Sequence, residues 1–340
     1  MLKPYLSKLL HGEDLEEEEC RRAMGLIMGG EATSAQVAGF LIALRMKGET
    51  VPEITGCARA MREAATGVEV EDTCAIDTCG TGGDTKGTFN VSTAAAIVTA
   101  AAGVTVAKHG NRSVSSSSGS ADVLQQMGVN IEAPRPVVEN CVRKTQIGFL
   151  FAPLLHRAMK HAIGPRRELG VRTVFNILGP LTNPAGVKRQ LLGIYSDELV
   201  EPIARVLSNL GAERAMVVHS NDGMDELSVC DSSHVAELDS GNINCHTISP
   251  EAYGFERGQL QDLMVDSPEE SAQLIEGIIS GRQGPQRDMV VLNAGAAIYV
   301  GGQAQDLSGG INRAANAIDS GAARDTLQQL KALSNEQSAQ

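Results

Sequence analysis

Apolar positions in the first seventy residues recur at helical spacing. Leu15, Ala23, Met24, Ile27 and Met28 form one stripe before Gly29-Gly30 interrupts it, and Val37, Phe40, Leu41 and Leu44 form a second after Ser34. Asp14 and Glu17 predict reciprocal capping at the first helix, and Thr50, Pro52 and Glu53 predict the start of a third, carried by Ile54, Ala58 and Met61. From about residue 71 the pattern changes to short β-like runs alternating with small-residue helices. Cys74 to Asp77, Val104 to Ala107, Met216 to Val218 and Met289 to Leu292 read as strands, and Ala94 to Ala102, Ile203 to Leu210 and Ala272 to Ile279 read as helices. Leu227 to Val229, His234 to Ala236 and Asn244 to Thr247 predict a small antiparallel excursion. The predicted class is α/β, with a small, mainly helical domain over residues 1–70 and a large α/β domain over 71–340.

Composition narrows the setting. A chain of 340 residues with 42% hydrophobic and 21% charged positions can bury a large core and predicts a soluble globular protein of two domains. No apolar stretch spans a membrane uninterrupted, and Met1 to Leu10 lacks the organisation of a secretory signal, so a cytoplasmic protein is expected. The net charge of −12 disfavours a broad nucleic-acid surface, although a local cationic pocket can coexist with an acidic exterior. Cysteines at 20, 57, 74, 79, 141, 230 and 245 form no Cys-x-x-Cys pair and read as reduced thiols, with Cys79 a small buried filler.

The chemistry concentrates in three adjoining segments: Asp77 to Asp84, Asn90 to Thr93, and Lys108 to Arg112. Gly80, Gly82 and Gly83 allow a turn whose amides approach a phosphate closely. Ser92-Thr93 reads as a hydroxyl cap on the following helix, whose amino end favours a further negative group. The second strand delivers Lys108 and His109 to the carboxyl edge of a sheet, and Ser113 to Ser120 supplies more hydroxyls. The glycines match neither G-x-G-x-x-G nor the ending of a P-loop. A phosphorylated or diphosphorylated substrate is therefore predicted, outside the common nucleotide fingerprints.

These motifs, with Arg166 to Pro184 and Asp222 to Glu226, resemble the anthranilate phosphoribosyltransferase family of tryptophan biosynthesis over nearly the whole chain. The resemblance implies a nucleoside phosphorylase/phosphoribosyltransferase-like fold, with the active site in the cleft between the domains. It implies a segment near 140–180 returning to the helical domain, and a homodimer. The implied reaction joins the anthranilate amino nitrogen to C1 of 5-phosphoribosyl 1-diphosphate, with loss of diphosphate. Gly80, Gly83, Asp84, Thr88, Asn90, Val91, Ser92, Thr93 and Lys108 would surround the donor, followed by Gly110, Arg112, Ser113, Val114, Ser115, Ser116 and Ser120. His109, Asn111 and Arg166 would face anthranilate as the catalytic group, His109 positioning it rather than serving as an obligatory base. Arg166 suits the carboxylate through its guanidinium fork. Gly179 and Pro180 would shape the aromatic pocket. Ser92 and, opposite it across the cleft, Asp225 and Glu226 would hold Mg2+.

Gln125 stands where the family pattern often has an acid, and Arg157 where proline is common. Both bear on local packing more than on the reaction. The competing readings are a pyrimidine nucleoside phosphorylase-like enzyme and a noncatalytic nucleic-acid-binding relative. No partner beyond the two substrates and a second subunit is expected, and neither nucleic acid nor membrane.

Overall fold

Capping chemistry starts the helices that open the chain. The computed structural model describes residues 1–84, 86–112 and 119–336. Helices α1 (Lys3–Leu10), α2 (Glu17–Met28), α3 (Ser34–Lys47) and α4 (Val51–Glu63) come first. The box at α2 joins Glu16 and Glu19 rather than Asp14 and Glu17. A run of four glutamates offers several capping registers, and the one observed turns Cys20, Ala23, Met24, Ile27 and Met28 into the core. The predicted box of Thr50 and Glu53 forms at α4. Glu53 is fully buried there and accepts the Leu15 amide at 2.9 Å, the Thr50 amide at 2.8 Å and the Lys47 ammonium at 2.9 Å. One carboxylate thus ties together α4, the end of α3 and the approach to α2.

A seven-stranded sheet follows, built from β1 (Ile76–Gly80), β2 (Val106–Gly110), β3 (Ile147–Phe151), β4 (Arg189–Gly193), β5 (Arg214–Ser220), β6 (Ser233–Asp239) and β7 (Asn242–Ile248). Its order is β3-β2-β1-β4-β5-β6-β7, with β1 to β5 parallel and the last two antiparallel. The antiparallel excursion is therefore an extension of the main sheet. Leu227 to Val229 stays outside it, in a buried loop where Asn293 accepts the Leu227 amide at 3.0 Å. β1 begins later than expected because the Cys74 amide turns onto the Asp72 carboxylate at 2.8 Å, leaving Ile76 to pair first with β4. The chain steps outward from β1 to β3 and then returns to the other side of β1 at β4. The carboxyl ends of β1 and β4 consequently flank a topological switch point, where open α/β sheets form crevices.

The remaining helices are α5 (Val91–Ala101), α6 (Ser120–Gln126), α7 (Arg135–Thr145), α8 (Ala152–Leu155), α9 (Lys160–Leu169), α10 (Phe175–Leu178), α11 (Val200–Asn209), α12 (Pro268–Ile279), α13 (Pro285–Val300), α14 (Leu307–Asp319) and α15 (Ala322–Ser334). Residues of α5 to α7 and α12 to α15 share one core with Leu191, Met216 and Val218 of the sheet. Residues of α1 to α4 and α9 to α11 share a second core with Leu192 and Val217. The alternation along β4 and β5 thus sends neighbouring residues to opposite layers. Met289 to Leu292, read as a strand, lies inside α13. That helix is buried on nearly every side, so its apolar run carries no helical stripe, and only its length separates the two readings.

Helices α2 and α4 meet at Gly56, where a methyl group would lie 2.1 Å from the Glu17 carbonyl oxygen and 2.9 Å from the Arg21 nitrogen. Both atoms are backbone, so the helices must separate to admit it. Gly56→Ala should lower unfolding stability by roughly 1–3 kcal/mol, the usual cost of overpacking. Urea unfolding checks this, and an unchanged midpoint would contradict the close approach.

Candidate functional site

The crevice at the end of β1 is lined by backbone amides and buried charge. Gly80 ends the strand opposite Gly193 of β4. Across this pair of glycines lies the loop carrying Asp225. A Cβ on Gly193 would fall 1.6 Å from the Asp225 carbonyl oxygen, and one on Gly80 would fall 2.4 Å from its Oδ2. The same Oδ2 accepts the Gly82 amide at 2.7 Å. Gly82 and Gly83 have φ of 63° and 75°, a left-handed turn that glycine adopts without steric cost. Asp84 interacts with Asp225, and its Oδ1 accepts the Lys86 amide at 3.2 Å.

Helix α5 meets this turn through its first residues. Its cap is Asn90, whose side chain accepts the Thr93 amide at 3.1 Å, rather than the predicted Ser92-Thr93. Val91 and Thr93 are buried, and among the described residues the Thr93 hydroxyl has no hydrogen-bond partner. The cap position frees the Ser92 hydroxyl to accept from the Lys108 ammonium at 3.1 Å, and Lys108 also donates to the Thr78 carbonyl at 2.5 Å. The Ser92 amide lies near the Glu226 carboxylate and favours its charged form.

Burial governs the electrostatics. It pushes the Asp225 carboxyl up to about 7, helped by the charge of Asp84, while the Gly82 amide pulls it back. Glu226 is likewise raised, by burial and by Asp225, with Lys108 opposing. Lys108 is lowered by burial against the attraction of Asp77. Three carboxylates and one cation thus meet where water is scarce, and each carboxylate makes ionisation of the next costlier. Such a set can take a divalent cation with phosphate oxygens. Among the described residues no three acidic, histidine or cysteine side chains enclose a metal by themselves. Magnesium bound mainly through water and substrate phosphates needs no such cage.

A second group forms beside the first. His109 points away from Lys108, and its Nε2 meets the Nε2 of His156 at 3.2 Å with ring centroids 5.0 Å apart. One nitrogen must donate and the other accept. Below the pair runs the turn Gly179–Thr182, with Pro180 buried. The Gly179 carbonyl lies near the His109 ring and accepts the Thr182 hydroxyl at 3.0 Å, and the Pro180 carbonyl accepts from Gln190 at 2.7 Å. Asp77 is fully buried and accepts the His109 amide at 3.1 Å and the Asn183 side chain at 2.8 Å. Arg166 on α9 lies 4.8 Å over the Phe175 ring, ahead of this turn. Burial lowers its pKa, and no carboxylate among the described residues pairs with it.

The other predicted residues lie around these two groups. Gly110 ends β2 against the Ser120 hydroxyl, which donates to the Asn111 carbonyl at 3.3 Å. Asn111 and Arg112 are exposed, and Arg112 pairs with Asp122 at 2.8 Å, holding the loop to α6. Thr88 forms an isolated bridge with Met264, two positions before the Asn90 cap. Ser113, Val114, Ser115 and Ser116 lie outside the described residues.

Sequence reasoning missed Asp77 as the hub of the second group, together with Asn183, Gln190, His156 and Gly193. Asn183-Pro184 after Gly179-Pro180 was a turn signal that could have drawn attention to Asn183. It also missed Arg172, which donates to the Gly83 carbonyl and lies 4.4 Å over the Tyr195 ring. Tyr195 in turn donates its amide to the Thr81 hydroxyl at 3.1 Å.

A helical bundle packed on an α/β sheet, with a glycine turn at the switch point, is the build of a two-part glycosyltransferase. Residues 72–324 match the Glycosyl transferase family, a/b domain, and residues 3–65 match the Glycosyl transferase family, helical bundle domain. An anthranilate phosphoribosyltransferase of Thioalkalivibrio sulfidiphilus is 56% identical over 93% of this chain and 94% of its own. The crystal structure of anthranilate phosphoribosyltransferase from Thermus thermophilus superposes with a TM-score of 0.93 at 44% identity, covering 97% of this chain and 99% of that one. That from Saccharomyces cerevisiae, in complex with PRPP and Mg, gives 0.89 at 27% identity over 98% and 97%. The chain belongs to the anthranilate phosphoribosyltransferase family. It is therefore a phosphoribosyl-transferring enzyme, and the comparisons give no support to the nucleoside phosphorylase or nucleic-acid-binding readings.

Burial, with the nearby His156 and Lys108 opposing a positive charge, lowers His109 to about 3. In the unfolded chain it would take a proton below about pH 6.5. Stability from the neutral buried ring is thus complete above that pH and is lost as pH falls toward the folded value, at up to ~1.4 kcal/mol per pH unit. Ring-nitrogen NMR should show His109 neutral at about pH 5, where an exposed histidine is charged. Protonation near the exposed value would contradict the dry environment.

Proposed function

We propose that this enzyme transfers the 5-phosphoribosyl group from 5-phosphoribosyl 1-diphosphate to the amino nitrogen of anthranilate and releases diphosphate. The gathering of Asp84, Asp225, Glu226 and Lys108 around the Gly80–Gly82 turn carries this reading. It is the arrangement that a departing diphosphate requires: a glycine turn, a cation, and carboxylates suited to a hard metal. The yeast relative's complex with PRPP and Mg supports the same donor and metal here. Ser92, Asp225 and Glu226 would hold Mg2+, directly or through water. Bound there, it neutralises diphosphate as the glycosidic bond breaks.

Gly80, Gly83, Asp84, Thr88, Asn90, Val91, Ser92, Thr93 and Lys108 surround the donor, with Gly110, Arg112 and Ser120 at the adjoining loop. The aromatic acceptor lies over Gly179 and Pro180. Arg166 takes its carboxylate, because a half-buried guanidinium without an acidic partner is costly until an anion arrives. Asn111 and His109 orient the amine. Neutral His109 leaves the amine's lone pair undisturbed, and attack needs no prior deprotonation. A covalent enzyme intermediate has no part in the reading.

The division into a helical part, residues 1–70 with a returning segment near 140–180, and an α/β part, residues 71–340, belongs to the same proposal. Helix α9 packs on α2 and α3, which supports it. A homodimer working in the cytoplasm, without nucleic acid or membrane, completes it. Among the described residues no helix is long and apolar enough to cross a membrane.

Mixing the enzyme with anthranilate, 5-phosphoribosyl 1-diphosphate and magnesium should consume anthranilate fluorescence and yield adduct and diphosphate in equal amounts. Removal of magnesium should slow turnover at least about 100-fold, the scale of metal stabilisation of a leaving phosphate. No conversion by folded, metal-supplied protein would overturn the proposal. Arg166→Lys should raise KM for anthranilate roughly tenfold or more while leaving KM for the donor near its original value, because lysine cannot make the two-pronged contact. Initial rates with each substrate varied in turn distinguish this from a general loss of activity.

A further inference from the structure

We infer that Arg62, on helix α4, is a positioning residue that fixes the Gly179–Thr182 turn and thereby the acceptor pocket. The inference rests on the assignment of Gly179 and Pro180 to the aromatic acceptor. Two carbonyls of that turn are taken by side chains from elsewhere in the fold. Gln190 of β4 holds Pro180 at 2.7 Å and Arg62 holds Leu181 at 2.7 Å, while the Gly179 carbonyl accepts the Thr182 hydroxyl at 3.0 Å within the turn. Of the two outside holders, Arg62 comes from the helices that open the chain. A shift of α4 against the sheet would therefore reach the acceptor floor through this bond.

The guanidinium spans two elements. Its Nε donates to Leu181, and its Nη1 donates at 3.3 Å to the Leu210 carbonyl at the end of α11, where the helix dipole is negative. Among the described residues no carboxylate pairs with it. Burial, with Arg59 nearby, lowers it to about 10, so it remains charged at neutral pH. An arginine kept here without an acid is satisfied by carbonyls alone, and its planar fork fixes their separation as lysine could not. Arg59, one turn earlier, provides the contrast. It donates to the Asn209 carbonyl at 2.6 Å and pairs with Glu17 at 2.5 Å, so it anchors α4 to α11 without touching the turn.

Steady-state kinetics of the full-length enzyme test this with Arg62→Met, Arg62→Lys, Arg59→Met and Pro180→Ala. Arg62→Met should raise KM for anthranilate about tenfold, the scale of a lost charge-assisted hydrogen bond, with KM for the donor within about twofold. Arg62→Lys should fall between it and wild type, and Arg59→Met should leave both KM values near wild type. An equal effect of Arg59→Met, or an equal rise in donor KM, would reduce Arg62 to a general anchor and overturn the inference. So would an unchanged anthranilate KM in Arg62→Met when Pro180→Ala raises it. If Pro180→Ala leaves that KM unchanged, the pocket assignment fails and the inference falls with it. Should Arg62→Met not fold, Arg62→Lys against Arg59→Met decides on the same criteria.

Discussion

The site depends on the absence of two side chains. Gly80 and Gly193 face each other at the ends of adjacent parallel strands, and the Asp225 loop lies directly upon them. Any Cβ at Gly193 would occupy the position of the Asp225 carbonyl oxygen, so the loop can descend only onto bare backbone. That descent lets Asp225 accept the Gly82 amide, brings Glu226 to the Ser92 amide, and sets both carboxylates near Lys108. The switch point provides the crevice, and the glycine pair allows charge to be placed inside it.

Charge there is held under tension rather than neutralised. Asp225 and Glu226 are raised, Lys108 is lowered, and all three shifts arise first from burial. In the proposed reaction a diphosphate with a divalent cation would replace what burial removed, giving the carboxylates a cation and Lys108 an anion, and binding energy would be concentrated at the bond that breaks. On the proposed acceptor side burial raises the Asp77 carboxyl to about 6 and keeps His109 neutral, and the Gly179–Thr182 turn is fixed by hydrogen bonds. A weak neutral nucleophile needs orientation more than charge. In the proposed transfer the two neighbouring groups would divide the work, one holding the diphosphate and one orienting the acceptor.

Legibility in the sequence followed the range of the interactions. The first helices were readable because stripes and capping residues lie within a few positions of one another, although four consecutive glutamates left the capping register at α2 open. The glycine turn, Ser92 and Lys108 were readable as an anion site because they are close in the chain. Asp225 and Glu226 were named, but the burial of Asp225 and the nearness of Glu226 to Ser92 were not, since those depend on a loop more than 130 positions away from the serine crossing β4. Asp77 lay in the motif first recognised and was passed over, because its partners His109 and Asn183 reach it from separate segments.

By itself, the sequence determined the local chemistry: where helices start, which turns need glycine, and which side chains could meet phosphate, metal or carboxylate. Those features follow from dihedral freedom, hydrogen-bonding capacity and periodicity over a single turn or strand. Tertiary structure alone decided which of these groups share a pocket, which are buried enough to change their protonation, and that α13 is a helix. Desolvation and long-range packing act through the whole fold, and a residue's neighbours in space set both.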